Sequence, residues 1–423
     1  MVETKTNTAQ QIIASISGTA GKVNFINDSA LTKALFYLEN KGLPTNKHED
    51  YKYCNIDGIF KREFQNLNQK FSSVNSVEEF KLADTITLVV LNGNYSESLS
   101  DKIILKGLQI RSFNNLDENG KKIITSQANA ENDAFIALNT VFSGIGFHLK
   151  IEKNCKIQIP VHIIYISSAS EQALTNPRNI IEVCENAEAT IIEHQITLSK
   201  GKTFTNFLSE KLVRENAALI SYTVQDEKEN GFSANTNQVK IERNGKYNNT
   251  TLILSGQLVR NNHNVVISGE NCEAHLNGLF VIGGNQLVDN HTLMDHRAPH
   301  CESNELYKGI INDKSTGVFN GKIFVRRDAQ KTNAYQSSKN ILLSDDGTIN
   351  TKPELEIYAD DVKCSHGTST GKIDESAMFY LNSRGIGKET AKRILLNAFA
   401  KEIIDGIEID SLKILVEEKL GFN

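Results

Sequence analysis

Residues 186–224 read NAEATIIEHQITLSKGKTFTNFLSEKLVRENAALISYTV, and the figure that opens this stretch returns before it ends. Asn186-Ala187 leads into one β-branched run, and Asn216-Ala217 leads into the run 218–224. Asn favours turns because its short side chain bonds its own backbone and tolerates a left-handed conformation, whereas Val, Ile and Thr fit a pleated strand. A turn residue followed by a small or polar one also stands at Asn154-Cys155, Gly245-Lys246 and Asn271-Cys272, so successive starts are 32, 30, 29 and 26 residues apart. Runs 157–166, 180–183 and 250–254 are further short strands bounded by turn formers. A repeat of this size has no core of its own and gains one only by stacking on the next. The chain therefore reads as mainly β, built as a parallel β-helix; a β-sandwich, which also has many short strands, is the alternative.

The ends carry a helical period instead. Three units are expected: an N-terminal helical domain and connector over 1–84, the solenoid over 85–371 and a C-terminal helical domain over 372–423. Ser29 can cap a helix bearing Leu31, Leu35 and Leu38, which Gly42 and Pro44 stop. The segment 47–64 holds Tyr51, Tyr53, Phe60 and Phe64, aromatic anchors for docking onto a larger body. Beyond Lys372, Asp374 can cap a helix through Met378 and Leu381 that Gly385 ends. Residues 390–404 then place Ala391, Ile394, Leu395, Ala398 and Phe399 on one packing stripe, and a third helix starts at Asp410 with Leu412, Leu415, Val416 and Leu420. Such a module can cap the open end of a solenoid against edge-to-edge association.

Composition removes several classes. The 423 residues carry 46 Lys and Arg against 51 Asp and Glu, a net charge of -5, so any contact with nucleic acid has to be local. The longest apolar runs, such as 86–91, fall far short of the ~20 residues of a membrane helix. Residues 1–20 show no basic segment followed by an apolar one, so the expected address is the cytosol, and exported β-helix enzymes such as polysaccharide lyases and hydrolases are disfavoured. The 6 cysteines stand singly, without a CxxC pair, as reduced thiols do in a large cytosolic chain.

Two glycine-lysine figures, 317–322 and 367–372, have three residues between the glycines and Ile after the Lys, which is not the spacing of a phosphate loop. The text LNSRGIGKETA at 381–391 resembles a helix-hairpin-helix, so a DNA-binding solenoid is the rival function. In the run DNHTLMDH at 289–296 an extended strand puts His291 and Asp295 on one face and His296 on the other. That spacing defines no three-ligand metal site and fits hydrogen-bonded structural histidines. In Cys364-Ser365-His366 the thiol and the imidazole share a face, a donor pair for one soft ion or for a partner surface.

At these residues the chain resembles the SufB/SufD family of iron–sulfur cluster assembly proteins. The matching text is DNHTLMDH at 289–296, LYKGIINDKSTGVFNGKIFV at 306–325, DAQKTNAYQSSKNILLS at 328–344, TKPELEIYADDVKCSHG at 351–367 and FYLNSRGI at 379–386. LPTNKHEDYKY at 43–53 resembles the family's early segment, with Tyr51 where a Trp is usual. The chain is similar to the SufD branch rather than the SufB branch, which carries a cysteine in the segment matching 342–357 and a Glu after the histidine matching His366; here the segment has no cysteine and Gly367 follows.

The resemblance implies a right-handed parallel β-helix flanked by helical domains, acting as a non-enzymatic scaffold in a SufBCD complex. It implies pairing with SufB through the β-helices and a SufC ATPase docked on the C-terminal helices, the module of Ile394, Leu395, Ala398 and Phe399. ATP-driven dimerisation of SufC would twist the two solenoids and open the site between them. His366 matches the histidine at the subunit junction and would offer an imidazole to incoming iron or sulfide, with Cys364 beside it. No permanently bound cofactor is implied, only iron or a cluster in transit, and an isolated chain could pair with a second copy through the SufB face.

Overall fold

The computed structural model describes residues 7–16, 25–102 and 105–421. Half of the leader reading over 1–20 lies outside them. Helices α1 (Thr8–Ile16), α2 (Asp28–Lys41) and α3 (Ile56–Glu63) come first. Strands β1 (Ile86–Leu91), β2 (Asn94–Tyr95) and β3 (Leu108–Ser112) follow, then α4 (Glu118–Lys121) and α5 (Ala134–Phe142). The repeat proper begins with β4 (Phe147–Ile151), β5 (Val161–Ser167), β6 (Ala173–Thr175), β7 (Arg178–Val183), β8 (Glu188–Thr197), β9 (Thr203–Val213) and β10 (Ala218–Asp226). It continues through β11 (Gly231–Ile241), β12 (Lys246–Ser255), β13 (Leu258–Ile267), β14 (Glu273–Ile282), β15 (Leu287–His296) and β16 (Glu302–Ile311). It closes with β17 (Thr316–Val325), β18 (Asn333–Leu342), β19 (Thr348–Ile357) and β20 (Lys363–Gly371), before α6 (Glu375–Ser383), α7 (Lys388–Ile404) and α8 (Asp410–Leu420).

Successive strands alternate between two sheets. The first runs β2-β1-β5-β8-β10-β12-β14-β16-β18-β20 and the second β19-β17-β15-β13-β11-β9-β7-β4-β3, with β6 added against β9. Among the described strands pairing is parallel except where β2 meets β1 and β3 meets β4 at the N-terminal end. This is the parallel solenoid that the turn spacing predicts. The glycine-lysine figure at 317–322 lies in β17, and that at 367–372 lies in β20 up to Gly371. The short helices α4 and α5 interrupt a region that the sequence reads as strands throughout.

One corner of the coil explains the repeat. Asn154, Asn186, Asn216, Asn244 and Asn271 all have φ between 56 and 61°, the left-handed region that Asn adopts more readily than β-branched residues do. Each side-chain amide donates to the Oδ1 of the Asn one rung below: Asn186 to Asn154 at 2.8 Å, Asn216 to Asn186 at 3.0 Å, Asn244 to Asn216 at 2.8 Å and Asn271 to Asn244 at 3.2 Å. The ladder position in the fourth rung is Asn244, one residue before the Gly245 expected from the pattern. The residue after each ladder position turns inward, and Ala187, Ala217, Cys272 and Cys301 are buried there. His300 and Lys331 continue the corner with φ of 59 and 61°.

The lumen is apolar in its middle, with Phe207, Tyr247, Met294 and Phe319 in one cluster, yet polar groups cross it. Lys211 meets Glu193 of the opposite sheet at 2.5 Å, both side chains fully buried, and donates to Asn237 Oδ1 at 2.9 Å. Helices cover the outer faces rather than the ends. Phe60 and Phe64 pack on Phe204 of β9, with ring centroids 4.7 and 5.8 Å apart, so the N-terminal helices lie on the second sheet. On the first sheet, Ala400, Ile403, Ile404, Leu412 and Val416 of α7 and α8 bury Tyr222, Leu252 and Leu279. Each fully buried large apolar side chain contributes roughly 1.5–3 kcal/mol.

Three local expectations are corrected by this arrangement. The cap of α2 is Asn27, whose side chain accepts from Ala30 N, rather than Ser29. The C-terminal helices cover the flank and leave the last rung open, so they do not cap the end. The packing stripe of α7 is Ala391, Ala400, Ile403 and Ile404, while Ile394 is 42% exposed, Ala398 is exposed and Leu395 and Phe399 are only partly buried. The Asp374 cap and the stop at Gly385, with φ of 83°, are as expected.

Two predictions follow from the corner and the lumen. Asn216→Ala loses both ladder bonds and strains a left-handed residue, so it should cost roughly 1–3 kcal/mol, and Asn216→Gly, which removes only the bonds, distinctly less. Denaturant titration of the two variants decides the order. Lys211→Met strands Glu193 in the lumen and should cost about 3–5 kcal/mol, and adding Glu193→Leu should restore most of it. An additive double variant would contradict the pairing.

Candidate functional site at the open end of the solenoid

β20 is the last strand of its sheet, and apart from the half-buried Cys364 its residues are exposed. Register sets what faces what. Cys364 pairs with Ala334 of β18, His366 with Gln336 and Thr368 with Ser338. Ala334, Gln336 and Ser338 are buried, and Thr368 Oγ1 donates across the lumen to Thr351 Oγ1 of β19 at 3.1 Å. Since side chains alternate along a strand, Cys364 and His366 face the lumen with Thr368. The shared face expected from their spacing is thus present, at the mouth of the coil. Burial raises the Cys364 thiol above its ordinary range, so it is protonated until a metal or base removes the proton.

Beneath His366 lies a polar column that motif reading missed. Gln336 sits over Glu305 of β16, donating Nε2–H to Glu305 Oε2 at 3.3 Å, and Thr292 Oγ1 donates to the same oxygen at 2.5 Å. Glu305 is fully buried, and desolvation pushes its carboxyl up to about 7. Glu305 and Gln336 are 31 residues apart, so only the rung spacing could have pointed to the pair.

The run 289–296 does structural work. Arg260 Nη1 donates to Asp289 Oδ2 at 2.6 Å and to the Asp50 carbonyl at 2.7 Å, and its guanidinium lies 4.3 Å from the Tyr51 ring. His291 Nε2 is 2.9 Å from Asp289 Oδ1. This cluster latches the early segment onto the second sheet. Asp295 binds Arg326 and Arg297, and His296 Nε2 meets Ser303 Oγ at 2.9 Å. His296 stays neutral because burial lowers its pKa to about 4. Among the described residues no group of three or more His, Cys, Asp or Glu is placed to hold a metal ion.

The C-terminal module is fastened and exposed at once. Lys308 of β16 donates to the Phe399 carbonyl at 2.8 Å, pairs with Glu402 at 2.5 Å and lies 4.7 Å from the Phe399 ring, so Phe399 ties α7 to the solenoid. Glu408 N donates to Tyr222 Oη at 3.0 Å, and Lys419 pairs with Asp226 at 2.6 Å, which fixes α8. Phe379 and Tyr380 of α6 are 75% and 57% exposed, and Ile394 of α7 is 42% exposed. These exposed apolar groups make the module a candidate contact surface. Phe379 and Tyr380 were not singled out by the sequence reading; their signal was an adjacent aromatic pair on a short helix with no buried residue. No described helix is long and apolar enough to cross a membrane.

Comparison with known proteins agrees with this geometry. Residues 165–399 match the SufBD core domain of the SUF system for FeS cluster assembly, and residues 16–163 match the SufBD protein N-terminal region. The chain is 31% identical over 387 residues to the iron–sulfur cluster assembly protein SufD of Escherichia coli, covering 91% of this chain and 90% of the relative. It is 29% identical to an iron–sulfur cluster assembly SufBD family protein of Synechocystis, covering 88% of this chain and 85% of that one. It is 27% identical to the chloroplastic protein ABCI7 of Arabidopsis thaliana, covering 86% and 78%. The chain belongs to the SufBD family of iron–sulfur cluster assembly proteins.

Proposed function

We propose that this chain is a SufD-type scaffold, a non-catalytic subunit that pairs with a SufB-type solenoid and carries a SufC-type ATPase, and that iron or sulfide passes His366 on its way into a cluster. The observation that carries the reading is the uncovered last rung, which presents an exposed imidazole and a half-buried thiol to the lumen at the mouth of the coil. Strand edges are normally blunted or covered, so a whole open rung suits a second solenoid. A second copy of this chain would fit the same edge when the partner is absent.

Two donors on one strand do not complete the coordination of iron, so the remaining ligands would come from the partner or the cargo. Iron is substrate here, and no resident cofactor is invoked. The absence of a cysteine from residues 342–357 supports assigning cluster construction to the partner's thiols. ATPase docking is assigned to α6 and α7, on which Phe379, Tyr380, Ile394 and Ala398 are exposed. The Gly385-Ile386-Gly387 turn then serves to join α6 to α7, and the DNA-binding alternative has no support from the relatives. A cytoplasmic address follows from this role.

Two tests address the two surfaces. His366 is exposed, so His366→Asn should shift the thermal midpoint of the purified complex by less than about 2 °C and leave partner binding intact. Cluster content in cells that depend on this copy should fall at least about ten-fold, and normal content would refute the role. Ile394→Asp should weaken ATPase binding by roughly ten-fold or more at unchanged stability, since buried apolar anchors dominate such contacts. Ile403→Asp, on the packed side, should unfold the module instead. Full binding by the Ile394 variant would move the docking surface elsewhere.

A further inference from the structure

His366, Gln336 and Glu305 occupy the same register position on β20, β18 and β16, about 4.8 Å apart per rung. Gln336 and Glu305 are buried, and each keeps one oxygen, Gln336 Oε1 and Glu305 Oε1, with no hydrogen-bond partner. Unsatisfied acceptors on two successive rungs of the lumen are costly, and a second arrangement that pairs one of them relieves part of that cost. A Cβ on Gly321 of β17 would stand 2.2 Å from Gln336 Nε2, so the glycine leaves the space in which this amide lies.

We propose that Gln336 is a two-position amide whose orientation is set by Glu305 and read by His366. With Glu305 ionised, the carboxylate holds the Gln336 N–H, and Oε1 is directed to the next rung, where it accepts the ring N–H of His366. The other ring nitrogen then presents its lone pair at the mouth, and the bonded partner makes it a better ligand. With Glu305 protonated, its O–H donates to Gln336 Oε1, the amide turns over about Cγ–Cδ and its N–H occupies the inner nitrogen of His366. The proton of the imidazole moves to the outer nitrogen, which can no longer ligate. One proton from solvent is taken up on the carboxyl and no covalent bond other than N–H and O–H changes.

The groups around Glu305 leave it in control. It faces Leu276 of β14, Thr292 of β15 and Gln336 of β18. Titratable neighbours along the lumen are Tyr307 on its own strand, which burial raises and keeps neutral, and His296, neutral above about 4. Burial is the larger influence on the Glu305 carboxyl and the Thr292 and Gln336 bonds oppose it, leaving the transition at about 7. Ligating strength at His366 therefore rises as pH rises through that value.

The inference rests on His366 as the working group, but its test does not need the complex. In the isolated full-length chain labelled with nitrogen-15 histidine, the His366 signals are those lost in His366→Asn. Their tautomer should change in a step near the Glu305 midpoint of about 7. Glu305→Gln and Gln336→Met should each remove the step, and Thr292→Val, which deletes one bond to the ionised carboxylate, should move it to higher pH. Cluster formation by the reconstituted complex should fall between about pH 8 and about pH 6 roughly ten-fold more in the wild type than in Glu305→Gln. Absence of the step from the wild type, or its persistence in Glu305→Gln and Gln336→Met, overturns the switch. Normal cluster content in His366→Asn would overturn the reading of His366 and leave the amide step measurable in its own right.

Discussion

The structure depends on parallel in-register pairing of one rung with the next. No rung has a core, so each strand must find its neighbours about 30 residues away in sequence, and every corner must turn at the same place. The Asn ladder meets that requirement twice over. It supplies the left-handed residue that lets the chain turn sharply, and its side chains bond along the axis in step with the backbone, so a slip of one residue breaks both. A slip would also reverse which side chains face the lumen and expose Phe207, Tyr247 and Phe319.

A coil fixed in this way has two sheets with outer faces and two ends, and the chain treats them differently. The faces are covered by the chain's own helices, with Phe60 and Phe64 on the second sheet and Ile403, Ile404 and Val416 on the first. The N-terminal end is closed by two antiparallel strands. The C-terminal end is left open, with His366 and Cys364 at its mouth and buried polar groups directly below. The lanes of charge inside, such as Lys211 with Glu193, are poor stabilisers compared with packed apolar groups, and they hold the two sheets in one arrangement. Lys308 and Tyr222 fasten the C-terminal helices to strands of the first sheet, so a force applied to α7 or α8 is delivered to the rungs.

The sequence made the solenoid legible because its determinants are local: a turn residue, a small residue and a strand recur in order. It placed the fourth corner one residue late, since Gly245 is as good a turn former as Asn244 and only the stacked partners Asn216 and Asn271 decide between them. Cys364 and His366 could be put on one face by the period of a strand. The stripe on α7 was misread because Ile394 and Leu395 are as apolar as Ile403 and Ile404, and only the position of the sheet shows which side is buried. Glu305 and Gln336 lay beyond motif reading for the same physical reason, as their environment is supplied by strands on other rungs.

The central claim is that the last rung is the working edge of this molecule, and amide hydrogen exchange tests it most directly. In the isolated chain the unpaired edge amides of β20 should exchange quickly while those of β10, β12 and β14 stay protected. On assembly with a SufB-type partner, protection should appear across β20 and β19, with the middle rungs unchanged. Assembly that leaves β20 exchanging as before would contradict the account.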